Sequence, residues 1–317
     1  MSDLYAGGEL VAEVVRSGVV ESRHHGSIVV LDADGEVAAW AGDVLGGFFP
    51  RSSSKPLQAV GLLRAGLTVD AADLALVAAS HRGHEVHISA VRRMLDESGI
   101  PVAALRCPPD YPLSDDARDA VVRAGHGREP IFMNCSGKHA GMLRTAQANG
   151  WPLATYLDPA HPLQLGLTAA VEELTGEPVR ATGVDGCGAP LLAVSLRGLA
   201  GAFLRLVGAP AGSPERSVAD AMRAHPHLVS GDDPGEDDTR LMRALPGLLL
   251  KSGAEGVAAA ALPGVGAVAL KIDDGGMRAR LPVLAAGFAR LGVSLPGRVE
   301  VPLFGGGLEV GVVRSGW

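Results

Sequence analysis

The segment Phe49-Pro50-Arg51-Ser52-Ser53-Ser54-Lys55-Pro56 carries a serine and a lysine three positions apart. A serine hydroxyl is a weak nucleophile until a base takes its proton, and an amine one helical turn away can be that base. A helix starting here would add the partial positive charge of its N-terminus, which favours developing anions. Pro56 disfavours α geometry at Lys55, so the first turn is expected to be irregular. The plain alternative is a serine-rich helix cap. A second dense segment is Asn134-Cys135-Ser136-Gly137-Lys138-His139-Ala140-Gly141, in which Cys135 and Lys138 can converge across one turn. A third is Asp185-Gly186-Cys187-Gly188, where glycines on both sides of a thiol allow close approach. Thiolates at 135 and 187 can bind a borderline metal, but two cysteines are fewer than a structural zinc site uses. Lys138, as a neutral amine, is a possible and unusual third ligand. The alternative is a pair of buried structural thiols. Ser80-His81-Arg82-Gly83-His84-Glu85-Val86-His87 has three histidines at spacing three; we read His84 and His87 as the start of an amphipathic helix and expect solvated histidines, not metal ligands.

The lysines sharpen this reading. Of 28 basic side chains only Lys55, Lys138, Lys251 and Lys271 are lysine, and the rest are arginine. Arginine cannot lose its proton near neutrality, whereas a desolvated lysine can. Each lysine is therefore a candidate for chemistry that needs a neutral amine.

These residues need a scaffold, and the apolar pattern supplies one. Leu10 to Val20 and Ser27 to Trp40 read as strands, with a hairpin signal at Ala33-Asp34-Gly35. Helical spacing follows over 56–65, 71–79, 86–97, 115–124, 138–148, 162–174, 189–207 and 217–224. The stretch 106–114 is a loop, and the polar, acidic stretch 229–238 an exposed one. Lys251-Ser252-Gly253 is expected just before a strand region over 256–261 and 265–272. A helix over about 277–291 and strands over 299–313 complete the chain. Strands at both ends with helices between predict an α+β fold, one antiparallel sheet built from both termini against a helical layer. The expected unit is a single domain over 1–317, with the sheet from about 1–50 and 251–317 and the helical part from about 51–250.

Composition narrows the class. Hydrophobic residues make up 47%, enough for a sizeable core, so disorder is disfavoured. The net charge is −7 and no basic block occurs, so no nucleic-acid partner is expected. No apolar run reaches the ~20 residues of a membrane helix, so no membrane partner is expected either. The Met1-Ser2-Asp3 start has no basic or apolar leader region, so we expect a cytoplasmic protein in which three cysteines do not form disulfides.

The order Ser52-x-x-Lys55, Ser80, Lys251-Ser252-Gly253 resembles the serine β-lactamase and glutaminase plan of S-x-x-K, a second hydroxyl and K-[ST]-G. Ser80 lies closer to the first motif than the β-lactamase S-D-N does, and no S-D-N occurs. A second resemblance covers nearly the whole chain. Pro50-Arg51-Ser52-x-x-Lys55-Pro56-x-Gln58-Ala59, Ser80-His81, Asn134 to Gly141, Asp185 to Pro190, Gly253-Ala254-Glu255-Gly256 and Lys271-Ile272-Asp273-Asp274-Gly275 resemble, in order, the asparaginase II family of the inducible, rhizobial type.

That resemblance implies an L-asparaginase acting on the small molecule L-asparagine. It implies two Ser–Lys pairs, Ser52 with Lys55 and Ser80 with Lys251, with Lys271 as the rival to Lys251. It implies a zinc ion on Cys135, Lys138 and Cys187 with water as the open ligand; we expect the metal to tune affinity more than to form the nucleophile, because a Ser–Lys pair already supplies one. Arg51, His139 and Asp185 would lie around the substrate. The family can carry a further cysteine before the K-x-G-A-E-G segment; here the stretch 235–239 has Asp238 instead. Ser52 would attack the side-chain amide carbon, Lys55 would take its proton, and Ser80 with Lys251 would relay a proton to the leaving ammonia. Which serine attacks first stays open. Backbone N–H groups near Ser52 would form the oxyanion hole. We expect a homodimer. The rival readings are a glutaminase, a β-lactamase-like serine amidohydrolase, and a zinc-dependent sensor that binds asparagine without turning it over.

Overall fold

The computed structural model describes residues 3–317. Met1 and Ser2, the start of the expected domain, lie outside the described residues.

Three strands open the chain: β1 (Glu9–Arg16), β2 (Val19–Asp32) and β3 (Val37–Ala41). The run expected as one strand over 10–20 is broken at Ser17-Gly18. Both residues take left-handed φ, +49° and +83°, the demand of a two-residue hairpin turn. The predicted turn after Asp32 joins β2 to β3. A helical stretch follows: α1 (Lys55–Arg64), α2 (Ala71–Val77), α3 (Glu85–Asp96), α4 (Asp115–Arg123), α5 (Ser136–Ala148) and α6 (Pro162–Thr175). The chain then makes a small hairpin, β4 (Ala181–Val184) and β5 (Pro190–Ala193), before α7 (Leu196–Gly208). Next come α8 (Pro214–Ala224), α9 (Pro226–Ser230), α10 (Asp237–Ala244), and strands β6 (Leu249–Gly253), β7 (Val257–Leu262) and β8 (Gly266–Ile272). Helix α11 (Arg280–Arg290) and the hairpin β9 (Val301–Gly305) with β10 (Leu308–Ser315) complete the fold.

The main sheet runs β6-β7-β8-β2-β1-β10-β9, with β3 also paired to β2, and its pairings are antiparallel. Both chain ends therefore build one sheet, as the pattern predicted, and the fold is α+β. Strands β7 and β8 are buried along most of their length, so neither face is left to solvent. Helices α7 and α11 both pack on β8 and supply cover. One continuous apolar core joins the sheet to the helical layer, where α1 packs on α6 and α2 on α8. Among the described residues, no helix is long and apolar enough to cross a membrane.

Three expectations are corrected. The helix expected over 189–207 begins only at Leu196, where Ser195 caps it by accepting from the Gly198 N–H at 2.9 Å. Residues 190–193 are buried throughout, and such a short apolar run reads equally as strand or helix. The stretch expected as an exposed loop over 229–238 is flanked by α9 and α10 and buries Ser230 and Asp238. Lys251-Ser252-Gly253 lies within β6, paired to β7, and does not merely precede a strand.

Candidate active site

A 3-10 turn over Arg51–Ser54 leads directly into α1. Lys55 is helical (φ −60°, ψ −37°) despite the proline after it. Pro56 sits in the first turn, where its missing N–H has no intrahelical partner to lose. The irregularity falls one step earlier, as the 3-10 turn and a left-handed Arg51 at φ +51°. Glu255 is also left-handed, at φ +59°, and its Oε1 lies 3.8 Å from Arg51 Nη1. Non-glycine residues held there cost about 1–3 kcal/mol each and persist only where their surroundings fix them.

The 3-10 turn packs against β6. The Ser53 hydroxyl donates to the Lys251 carbonyl at 2.9 Å. Gly253 permits this contact: a Cβ there would stand 2.7 Å from the Pro50 carbonyl oxygen and 3.0 Å from Ser53 Oγ. The S-x-x-K and K-S-G segments, about 200 residues apart in sequence, are thus locked side by side. They open on a cavity of about 430 Å³ whose wall includes Ser52, Ser80, Asn134, Lys251, Glu255 and Arg280.

The pairing inside the site differs from the expected one. Buried Lys55 donates from Nζ to the Ala79 carbonyl and, at 2.9 Å, to Ser80 Oγ. Its amine therefore rests on Ser80, not on Ser52, because α1 places the lysine side chain against the end of α2. The Ser52 hydroxyl faces the cavity with no hydrogen-bond partner among the described residues. Lys251 does not bond Ser80; its Nζ donates to the Ser252 carbonyl at 2.8 Å and lies 3.8 Å from Asp238 Oδ2. Lys271 donates to the Glu255 and Ile272 carbonyls and is not part of the cavity wall. Of the backbone groups near Ser52, the Ser53 N–H is engaged by the Pro50 carbonyl at 3.1 Å.

Behind the serines lies a sulfur cluster. Cys135 Sγ, Cys187 Sγ and an Asp185 carboxylate oxygen fall within 4.8 Å of one another. Lys138 Nζ donates to Cys187 Sγ at 3.3 Å. Gly137 lets α5 approach α2 here: a Cβ would stand 2.5 Å from the Leu76 carbonyl oxygen. A hydrogen bond from Cys135 lowers the Cys187 pKa to about 6, against the opposing effect of burial, and Lys138 adds to it. The Cys187 contact, with burial, raises the Cys135 pKa; Cys135 Sγ donates to Asn134 Oδ1 at 3.1 Å, and Cys187 Sγ lies 3.3 Å from Asp185 Oδ2. Burial opposes the charge on Lys138, but Cys187, Cys135 and Asp185 outweigh it and raise its pKa. The third cysteine, Cys107, donates to the Pro130 carbonyl at 3.2 Å, and burial pushes it up to about 12. It remains a thiol outside the cluster.

None of the three residues expected around the substrate is among those lining the cavity; Asp185 belongs to the sulfur cluster, and Arg51 bridges it to the cavity-lining Glu255. Arg51 Nε donates to Asp185 Oδ1 at 2.8 Å. His139 is fully buried, with Nδ1 2.6 Å from the Tyr156 hydroxyl and Nε2 unpartnered. Burial brings its pKa down to about 3, so it is neutral at physiological pH. The motif reading gave no role to Asp238, Ser252 or Arg280, although Ser252 stood in K-S-G and Asp238 was noted in the stretch 235–239.

No curated protein matches the chain. Among solved structures it is similar to Mglu in its native form, with 16% identity over 84% of this chain and a TM-score of 0.43. The chain covers 59% of that Mglu chain. It is similar to a β-lactamase from Mycobacterium bovis, with 18% identity over 84% of this chain and 94% of that one, at a TM-score of 0.47. A Bacillus glutaminase matches at 14% identity over 84% of this chain and 88% of that one, at a TM-score of 0.34. The model of the L-asparaginase II family matches residues 12–304, so this chain belongs to the L-asparaginase II family.

Proposed function

We propose that this chain is an L-asparaginase, hydrolysing L-asparagine to L-aspartate and ammonia through an acyl-enzyme. The observation that carries the reading is the convergence of Ser52, Ser80 and Lys251 on one cavity, with the Lys55 amine already bonded to Ser80. As a base, Lys55 has two N–H groups and one lone pair. The Ala79 carbonyl and Ser80 Oγ accept from the two N–H groups, which leaves the lone pair for the Ser52 proton. Ser52 Oγ bonds to the side-chain amide carbon as its proton moves to Lys55. Lys55 then gives a proton to Ser80 Oγ as the Ser80 hydroxyl proton moves to the leaving nitrogen. The C–N bond breaks and ammonia departs. Water then cleaves the aspartyl ester and returns the proton to Ser52. Lys251 lends positive charge to the same cavity.

We also propose zinc at Cys135, Lys138 and Cys187, with Asp185 in reach as an oxygen donor. Two neighbouring sulfurs, the Asp185 carboxylate and burial that excludes competing water support it, and Lys138, 3.3 Å from Cys187 Sγ, would ligate only after losing the proton that these anionic groups hold on it. Bound there, zinc would add positive charge beside the Arg51–Asp185 pair and so tune substrate affinity. Elemental analysis of protein purified without added metal or chelator tests occupancy; about one zinc per chain is expected, and none would refute the site.

Ammonia release tests the reaction. We expect turnover of L-asparagine with a kcat/KM above that for L-glutamine, and no hydrolysis of a chromogenic β-lactam. Binding of asparagine without ammonia would instead identify a sensor, and preferred glutamine turnover a glutaminase.

A further inference from the structure

Lys251 is buried at 1% exposure in β6. Basic groups face it from two sides, the Lys55 amine of α1 and Arg280 of α11, with Cys135 ahead of α5. A buried ammonium beside other basic groups is an unfavourable arrangement unless an anion stands close. The anion is Asp238, in the first turn of α10, itself only 4% exposed. Its Oδ2 lies 3.8 Å from Lys251 Nζ. The same oxygen accepts the Ser252 N–H at 2.8 Å, and Oδ1 accepts the Ser252 hydroxyl at 2.6 Å. One carboxylate thus holds both ends of Ser252, and the Ser252 carbonyl is the group to which Lys251 Nζ donates.

We propose that Asp238 is a positioning residue: its buried carboxylate clamps Ser252 and thereby sets the aim and the charge of the Lys251 amine in the cavity. This rests on the hydrolase reading above for its catalytic meaning, but the coupling itself is structural. Burial lowers the Lys251 pKa to about 8, Asp238 opposes the fall, and Lys55 and Arg280 deepen it.

Four lysines make the test direct, because ε-13C-lysine NMR of the full chain gives four side-chain signals. Loss of one signal in Lys251→Arg assigns Lys251. Asp238→Asn keeps an acceptor for Ser252 and removes the charge. The Lys251 titration midpoint is expected to fall by about 1 unit or more in this variant, with Lys271 unmoved. The alkaline limb of the kcat–pH profile for asparagine is expected to move down with it, while KM stays within about threefold. Asp238→Glu keeps the charge on a longer arm. Its midpoint is expected to stay near wild type while kcat falls by about tenfold or more, because the clamp is displaced. An unmoved Lys251 midpoint in Asp238→Asn overturns the proposal whatever the activity. If Asp238→Asn does not fold, an Asp238→Glu enzyme with wild-type kcat overturns it. A shifted midpoint in a protein whose wild type releases no ammonia sinks the asparaginase reading and supports the coupling.

Discussion

At the residue scale, the site depends on which atoms a lysine amine can reach. Ser52→Ala is expected to lower kcat by about 10³-fold or more with the fold intact, as read by ammonia release and thermal melting. Lys55→Arg is expected to lose about 10²–10⁴-fold, nearly as much as Lys55→Ala, since arginine cannot act as a base. A Lys55→Arg enzyme of near-full activity would show that the charge alone matters. The candidates themselves were legible in the sequence because they sit in short motifs and because the chain uses so few lysines. Their pairing was not. Spacing places Lys55 one turn from Ser52, but the direction of its side chain is set by packing against α2, and it ends on Ser80. The role of Asp238 was illegible for a related reason: an acid in a polar, glycine-containing stretch reads as solvated. Only the fold brings it against the N–H and hydroxyl of Ser252.

At the element scale, the 3-10 turn before α1 and strand β6 must touch for the site to exist. Gly253 is the point of contact. Gly253→Ala would press a methyl group on the Pro50 carbonyl, a backbone atom that cannot swing aside. We expect a loss of about 1–3 kcal/mol in urea unfolding together with a lower kcat, because Ser52 and Lys251 would be pushed apart. Unchanged stability and activity would show that the turn can shift freely. Most helices were legible from the helical spacing of their apolar residues, as in α3 and α8, which bury one face. The β4–β5 hairpin was not, because its residues 190–193 are buried on both sides and carry no alternation. Helices α9 and α10 were hidden by their shortness and by the polar residues between them.

At the scale of the whole molecule, one sheet made from both ends explains why motifs far apart in sequence meet, and that plan was readable from strands flanking helices. What could not be read is how burial sets the charge of individual histidines. His81 and His87 are not solvated, as the sequence led us to expect, but stack at 5.2 Å in the core, each with an unpartnered Nδ1. Burial holds the His81 pKa well below its ordinary value and lowers that of His87 to about 4. In the unfolded chain both protonate near pH 6.5. Between about pH 4 and 6.5 the unfolded state binds more protons, so stability falls as pH drops through this window. His87→Gln is expected to remove about 2 kcal/mol of the stability lost between pH 7 and 5, measured by urea unfolding at both values. An equal loss in the variant would show that His87 is protonated in the folded state.

The central claim is that Ser52 carries the acyl group of asparagine. Acid-quenching the enzyme during turnover of L-asparagine, followed by proteolysis and peptide mass spectrometry, tests it most directly, with Lys251→Ala as a slow variant in which the ester can accumulate. The account predicts an aspartyl ester on the peptide containing Ser52 and none on the peptide containing Ser80. An ester on Ser80, or ammonia release from Ser52→Ala at the wild-type rate, would contradict it.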